Sequence, residues 1–128
     1  MALRDQLRIM VVDDMSTSRG LITQALDTIG IRNVAVAADG ASALDLIERS
    51  PVHLVISDYN MPGMDGLQLL HALRSGGNTA RVGFLLITGR ADKEIVDKGR
   101  RLGMNNLVRK PFDTAGLKQA IEAVVGRL

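Results

Sequence analysis

Hydrophobic and polar positions along this chain change period several times. Short apolar runs rich in β-formers occupy residues 9–12, 34–37, 54–56, 84–87 and, more weakly, 106–108. Three of them are unbroken, as expected of parallel strands covered on both faces. Helical spacing follows each run. Leu21, Ile22, Ala25, Leu26 and Ile29 form a stripe closed by Gly30. Asp39 is placed to cap a helix carrying Ala41, Leu44 and Ile47, which Pro51 stops. Leu67, Leu70 and Leu73 lie on a third helix, ended by Ser75-Gly76-Gly77. Ile95, Val96 and Leu102 mark a fourth that Gly99 interrupts. Asp113 or Thr114 caps a fifth, where Leu117, Ala120, Ile121, Val124 and Val125 repeat at helical spacing.

Strand and helix therefore alternate, which predicts an α/β fold: a doubly wound, five-stranded parallel sheet with right-handed crossovers and helices on both faces. The pattern leaves the strand order open. The length of 128 residues fits one domain, 1–128, with a core of its own. A formal net charge of +2 is too small to point to nucleic acid or a membrane surface. With no cysteine, disulfides, thiolate catalysis and zinc–thiolate sites are excluded. The first residues lack a signal-peptide pattern, and no apolar run approaches a membrane span, so a cytoplasmic protein is expected.

In an open parallel sheet, ligands bind outside the carboxyl ends of the strands. Those ends carry Asp13-Asp14, Ser57-Asp58, Thr88-Gly89 and Arg109-Lys110-Pro111. A lone Asp after a strand is usually a cap or turn residue, and a Thr or Lys there is usually structural or solvated. The conjunction is what carries weight. Carboxylates brought this close repel one another, and a hard cation with oxygen ligands offsets the repulsion. Mg²⁺ is the usual choice beside phosphate chemistry, and Lys110 adds further positive charge. The group reads as a phosphoryl-transfer site with a carboxylate nucleophile.

The same residues carry a family resemblance. Val11-Val12-Asp13-Asp14, the run from Ser57 to Gly66, Thr88 and Lys110-Pro111-Phe112 together resemble the receiver domain of two-component response regulators. The likeness covers the whole chain and is greatest to single-domain chemotaxis regulators of the CheY type. It implies the sheet order 2-1-3-4-5. It implies Asp58 as phosphoacceptor, Asp14 as a direct Mg²⁺ ligand, and Asp13 acting mostly through metal-bound water. The main-chain carbonyl of Asn60 would complete the protein's ligands together with Asp58. Thr88 would be a switch hydroxyl, Lys110 would pair with a phosphoryl oxygen, and the bond to Pro111 would be cis. A histidine kinase would be the phosphodonor. With nothing after Leu128 to act as an output domain, a monomer signalling by protein contact is expected, with the flagellar motor switch as target. The face of the fourth predicted helix, fifth strand and fifth predicted helix is the candidate output surface. Such a protein has self-phosphorylation and dephosphorylation chemistry but is not an enzyme in the ordinary sense.

The chain also departs from the pattern. The family often has an aromatic three residues before the lysine, and here that position is Leu107. Arg90 adds a cation two residues after Thr88, where it either faces the site or is a solvated loop residue. Leu107 makes a phosphate sink or relay intermediate a second reading. A flavodoxin-like enzyme is disfavoured because Asp13 and Asp14 would repel a flavin phosphate beside Ser16-Thr17-Ser18. A haloacid-dehalogenase-type phosphatase needs a second acid where this chain has Asn60. His53 and His71 read as structural or surface residues.

Overall fold

The computed structural model of the chain describes residues 2–90 and 92–128. Five strands form one parallel sheet in the order β2-β1-β3-β4-β5. They are β1 (Arg8–Val12), β2 (Asn33–Ala37), β3 (Leu54–Asp58), β4 (Gly83–Thr88) and β5 (Asn106–Arg109). Between and around them run α1 (Leu3–Gln6), α2 (Ser16–Ile29), α3 (Gly40–Arg49), α4 (Gly66–Ser75), α5 (Lys93–Arg101) and α6 (Thr114–Val125). The expected order and alternation are therefore observed. The helix count is not, because α1 precedes β1. Four residues make a single turn, too short to show a helical period. The fourth and fifth predicted helices are thus α5 and α6.

The central strands divide the core into two halves. Side chains on a strand point alternately to opposite faces. Ile9, Val11, Leu54, Ile56, Leu85 and Ile87 face one side, where α2 and α6 bring Ile22, Leu26, Leu117 and Ile121. Met10, Val12, Val55, Phe84 and Leu86 face the other, where α3, α4 and α5 bring Ala43, Ile47, Leu70, Leu73 and Ile95. Full burial on both faces explains why β3 and β4 read as unbroken apolar runs. The edge strand β2 is far less covered, and Val36 is 48% exposed.

Aspartates start four of the helices. Asp39, Asp65, Asp92 and Asp113 each accept a hydrogen bond from the backbone N–H three residues on. Asp65 and Gln68 form a reciprocal capping box at 2.8 Å in both directions. Two apolar stripes shift from their expected positions. Ala43, not Ala41, faces the core, and Leu21 is 56% exposed on α2. Gly99 does not interrupt α5. It is buried, and a Cβ there would lie 2.9 Å from Met104 Sδ.

Arg74, at the carboxyl end of α4, ties together the amino ends of β4 and β5. Its Nη1 donates to Val82 O at 2.6 Å and Ala80 O at 3.2 Å. Its Nη2 donates to Gly103 O at 2.9 Å and Asn105 Oδ1 at 3.1 Å, and Nε reaches Gly103 O at 3.3 Å. The planar guanidinium, with five donors, suits a fork of carbonyls. Asn105 Oδ1 also accepts from Phe84 N at 2.8 Å, so the staple continues into the sheet.

Candidate functional site

The carboxyl ends of β1, β3, β4 and β5 converge at the opposite edge. Asp13 follows β1 and is fully buried; Asp58 closes β3 and is 7% exposed; Asp14 is exposed. Carboxylate oxygens of Asp13, Asp14 and Asp58 all lie within 4.8 Å of one another. Strand alternation explains which side chains meet. Asp13 continues the face of Ile9 and Val11, Asp58 that of Leu54 and Ile56, and Lys110 that of Val108. All three thus lie toward the layer of α2 and α6. Ser57 and Thr88 continue the other face, which carries Val55 and Leu86.

Lys110 Nζ lies 3.4 Å from Asp13 Oδ2 and 3.5 Å from Asp58 Oδ1. Its shortest bond is to neither carboxylate. It donates to Ser18 Oγ at 2.8 Å. Lys110 is held from below by its own N–H, which donates to Thr88 O at 2.9 Å, and the Lys110–Pro111 bond is cis. Arg19 Nη1 donates to the Asp13 carbonyl at 2.8 Å, and Asp13 Oδ1 accepts from Met15 N at 3.0 Å. These bonds fix the turn that presents Asp13.

Asp58 is fixed from both sides. Its Oδ1 accepts from Tyr59 N at 2.9 Å, and its carbonyl accepts from the buried Ser57 hydroxyl at 2.9 Å. The chain then passes the exposed Asn60 and the buried Met61 before α4 begins. Gly66 lets that helix approach closely. Its N–H donates to Tyr59 O at 2.8 Å, and a Cβ would collide with the Asp58 carbonyl. Burial raises the pKa of Asp58 above its ordinary value; Lys110 opposes this, and the Asp13 charge adds to it. An all-oxygen set with two buried acids suits a hard cation such as Mg²⁺.

Thr88 and Arg90 stay out of this group. Thr88 is buried, and its Oγ1 accepts from Arg90 N at 3.0 Å. The Arg90 side chain turns to Asp92, 3.4 Å away, and both are exposed. Leu107 is half-buried and packs against the α3–α5 side of the core. Arg8 N donates to His53 Nδ1 at 2.9 Å at the far edge of the sheet, and His71 is exposed on α4. Sequence reasoning gave Ser18, Arg19 and Gly66 no role in the site, although Gly66 ends the run that carries the resemblance and Ser18 lies in the Ser16-Thr17-Ser18 segment weighed as a phosphate loop. Beside Ser18 and Lys110 a groove of about 650 Å³ opens between α2 and the loop into α6, with Leu21, Ala25 and Phe112 on its walls.

The chain is similar to known proteins in both sequence and fold. A chemotaxis protein CheY described as probable, from Rhizobium etli, is 40% identical over 128 residues, which cover 100% of this chain and 99% of its own. The chemotaxis protein CheY of Pseudomonas aeruginosa is 34% identical over 122 residues, 95% of this chain and 98% of its own. The crystal structure of Vibrio cholerae chemotaxis protein CheY4 superposes with a TM-score of 0.87 at 28% identity, covering 93% of this chain and 98% of that one. A sensor histidine kinase receiver domain from Pseudomonas aeruginosa, with magnesium coordinated in its active-site cleft, gives 0.85 at 27% identity, covering 94% and 98%. Residues 9–122 match the response regulator receiver domain, and the chain belongs to that family.

Proposed function

We propose that this receiver domain is a phosphorylation-activated switch that accepts a phosphoryl group on Asp58, with Mg²⁺ held by Asp13, Asp14, Asp58 and the Asn60 carbonyl. One observation carries the reading. Two buried carboxylates and an ammonium meet at the carboxyl edge of the sheet, with Lys110 within 3.5 Å of both acids. A static structural cluster would need no such concentration of opposed charge, and burial of like charges costs stability.

In the proposed reaction an Asp58 carboxylate oxygen attacks phosphorus as the bond to the donor breaks. The donor is a phosphohistidine of a kinase or a small acyl phosphate, and its leaving atom keeps the electron pair. The cation would supply charge neutralisation at the transferring oxygens. Lys110 stabilises the same charge from the other side. Asp58, already fixed by Tyr59 N, needs little reorientation to attack.

The phosphorylated side chain carries close to two negative charges. Thr88 then exchanges its bond with Arg90 N for one to a phosphoryl oxygen, and the start of α5 shifts with it. The output surface is the α5–β5–α6 face. There Val96, Arg100, Met104, Leu107 and Arg109 border a groove of about 270 Å³, and a downstream protein such as a flagellar motor switch component is its partner. Among the described residues no helix is long and apolar enough to cross a membrane, in keeping with a cytoplasmic role. Leu107 favours a second reading as a phosphate sink, because it packs into the core without a hydroxyl to report the state of Thr88.

Acetyl phosphate with and without Mg²⁺, followed by intact mass, tests the acceptor. Wild type should gain one phosphoryl group only with metal, and Asp58→Asn none. Modification of both would remove the assignment. Fast return of the group to a kinase, without any gain in partner binding, would select the sink.

A further inference from the structure

Lys110 has its shortest hydrogen bond to a neutral group. Ser18 Oγ accepts from Nζ at 2.8 Å, while both carboxylates stand at 3.4 and 3.5 Å. Charge-assisted bonds between ammonium and carboxylate usually close to about 2.7–2.9 Å. Nothing in the lysine stem prevents such closure, since it is long, flexible and rich in rotamers. Coulomb attraction alone would draw Nζ onto Asp58 or Asp13. The structure instead places it between them, with the serine as its close partner.

We propose that Ser18 is a positioning residue that holds the Lys110 ammonium midway between Asp13 and Asp58. It rests on the reading of Asp58 as phosphoacceptor. The arrangement has two effects. It keeps the ammonium from closing on either acid, so that Asp58 Oδ2 is left to attack while Oδ1 stays bonded to Tyr59 N, and Asp13 Oδ2 is left only weakly engaged and able to face a cation. It also presets Nζ where the charge of the transferred group develops, so that no reorganisation of the lysine is needed during transfer. Ser18 reaches this position because α2 lies on the same face of the sheet as Asp13, Asp58 and Lys110. The hydroxyl sits in the first turn of α2, on a half-buried residue, and the bond spans 92 positions of sequence.

Loss of the hydroxyl lets Lys110 collapse onto a carboxylate. Ser18→Ala should then weaken Mg²⁺ binding and slow phosphorylation at saturating acetyl phosphate, each by roughly five-fold, with a smaller change in the half-saturating donor concentration. Alanine is the best helix former, so the variant should fold with an unchanged unfolding midpoint. Metal binding can be followed without turnover through Tyr59, the only tyrosine in a chain without tryptophan. Ser18→Thr keeps an oxygen in place and should return both values to within about two-fold of wild type.

The decisive measurement is the pair with Lys110→Met. If Ser18 acts through the lysine, adding Ser18→Ala to Lys110→Met changes neither metal binding nor rate. An effect of Ser18→Ala that persists in the Lys110→Met background would overturn the proposal, as would wild-type behaviour of Ser18→Ala or a threonine variant as impaired as the alanine one. Failure of the acceptor reading shows up separately, as wild-type protein that acetyl phosphate does not modify at Asp58. The metal titrations would still decide the role of Ser18.

Discussion

At the amino ends of β4 and β5, the Arg74 guanidinium makes five hydrogen bonds, four of them to backbone carbonyls. At the carboxyl ends of β1 and β3, Lys110 stands 3.4–3.5 Å from two buried acids and bonds closely only to a serine. Both groups are cations in partly buried surroundings. Arg74 meets neutral dipoles that it satisfies completely, so its neighbourhood gains stability from it. Lys110 meets acids that outnumber it, and Asp58 stays unsettled enough that burial raises its pKa. One end of the sheet is closed by hydrogen bonding; the other leaves buried charge incompletely paired. Sites that must respond to a ligand are drawn from regions of low local stability.

The largest effect should separate the ends by function. Asp58→Asn should abolish the phosphoryl adduct in intact mass, while Arg74→Met should leave it at the wild-type level. An adduct lost in Arg74→Met would mean that the two ends are coupled. For stability the order reverses. Arg74→Met strands the carbonyls of Val82, Ala80 and Gly103 and should cost about 3 kcal/mol in urea unfolding. Asp58→Asn should cost nothing by the same measurement.

The α-helix and strand pattern was readable because the core imposes it. β3 and β4 are covered on both faces, so their apolar runs are unbroken. Helix α1 was hidden by its single turn. Phase was the weak point: alanines at 41 and 43 look alike in sequence, and packing alone selects Ala43. The acids and Lys110 were legible from their places at strand ends, and the resemblance supplied their expected roles. Ser18 and Arg74 were not legible. Ser18 drew notice only as part of Ser16-Thr17-Ser18, an arginine in a last helical turn carries no signal of its own, and the partners of both lie across the fold.

Smaller effects refine the contrast. Asp65→Ala removes the capping box of α4, the helix that Gly66 seats against Asp58, and should cost about 1 kcal/mol. Because α4 runs from one end of the sheet to the other, its loss of order near Asp65 should slow phosphorylation slightly, as stopped-flow Tyr59 fluorescence would register. A rate unchanged to within error would mean that the Gly66 contact alone seats the helix.

The smallest effect concerns pH. The folded state holds the Asp58 proton more tightly than the unfolded chain does, since its pKa is raised from 3.8. Stability therefore falls as pH rises from 3.8 through the folded value, and the cost is constant above it. In metal-free buffer Asp58→Asn should melt higher than wild type at neutral pH. The difference should vanish below pH 3.8, where Asp58 is protonated in both states. A midpoint lowered at neutral pH would show that the Lys110 attraction outweighs burial.

Strand alternation places Asp13, Asp58 and Lys110 on one side of the sheet and Thr88 on the other. That arrangement makes residue number, more than residue identity, the quantity on which this protein depends. A valine exchanged for isoleucine within β3 leaves Asp58 where it is. A single codon inserted or deleted between Leu54 and Asp58 would turn the carboxyl toward α3 and α4, while exchanging the layers of every apolar side chain between. Lineages of this protein should therefore vary freely in the composition of their central strands and in the lengths of loops such as that between Ser75 and Gly83, but keep the spacing from strand start to acid unchanged.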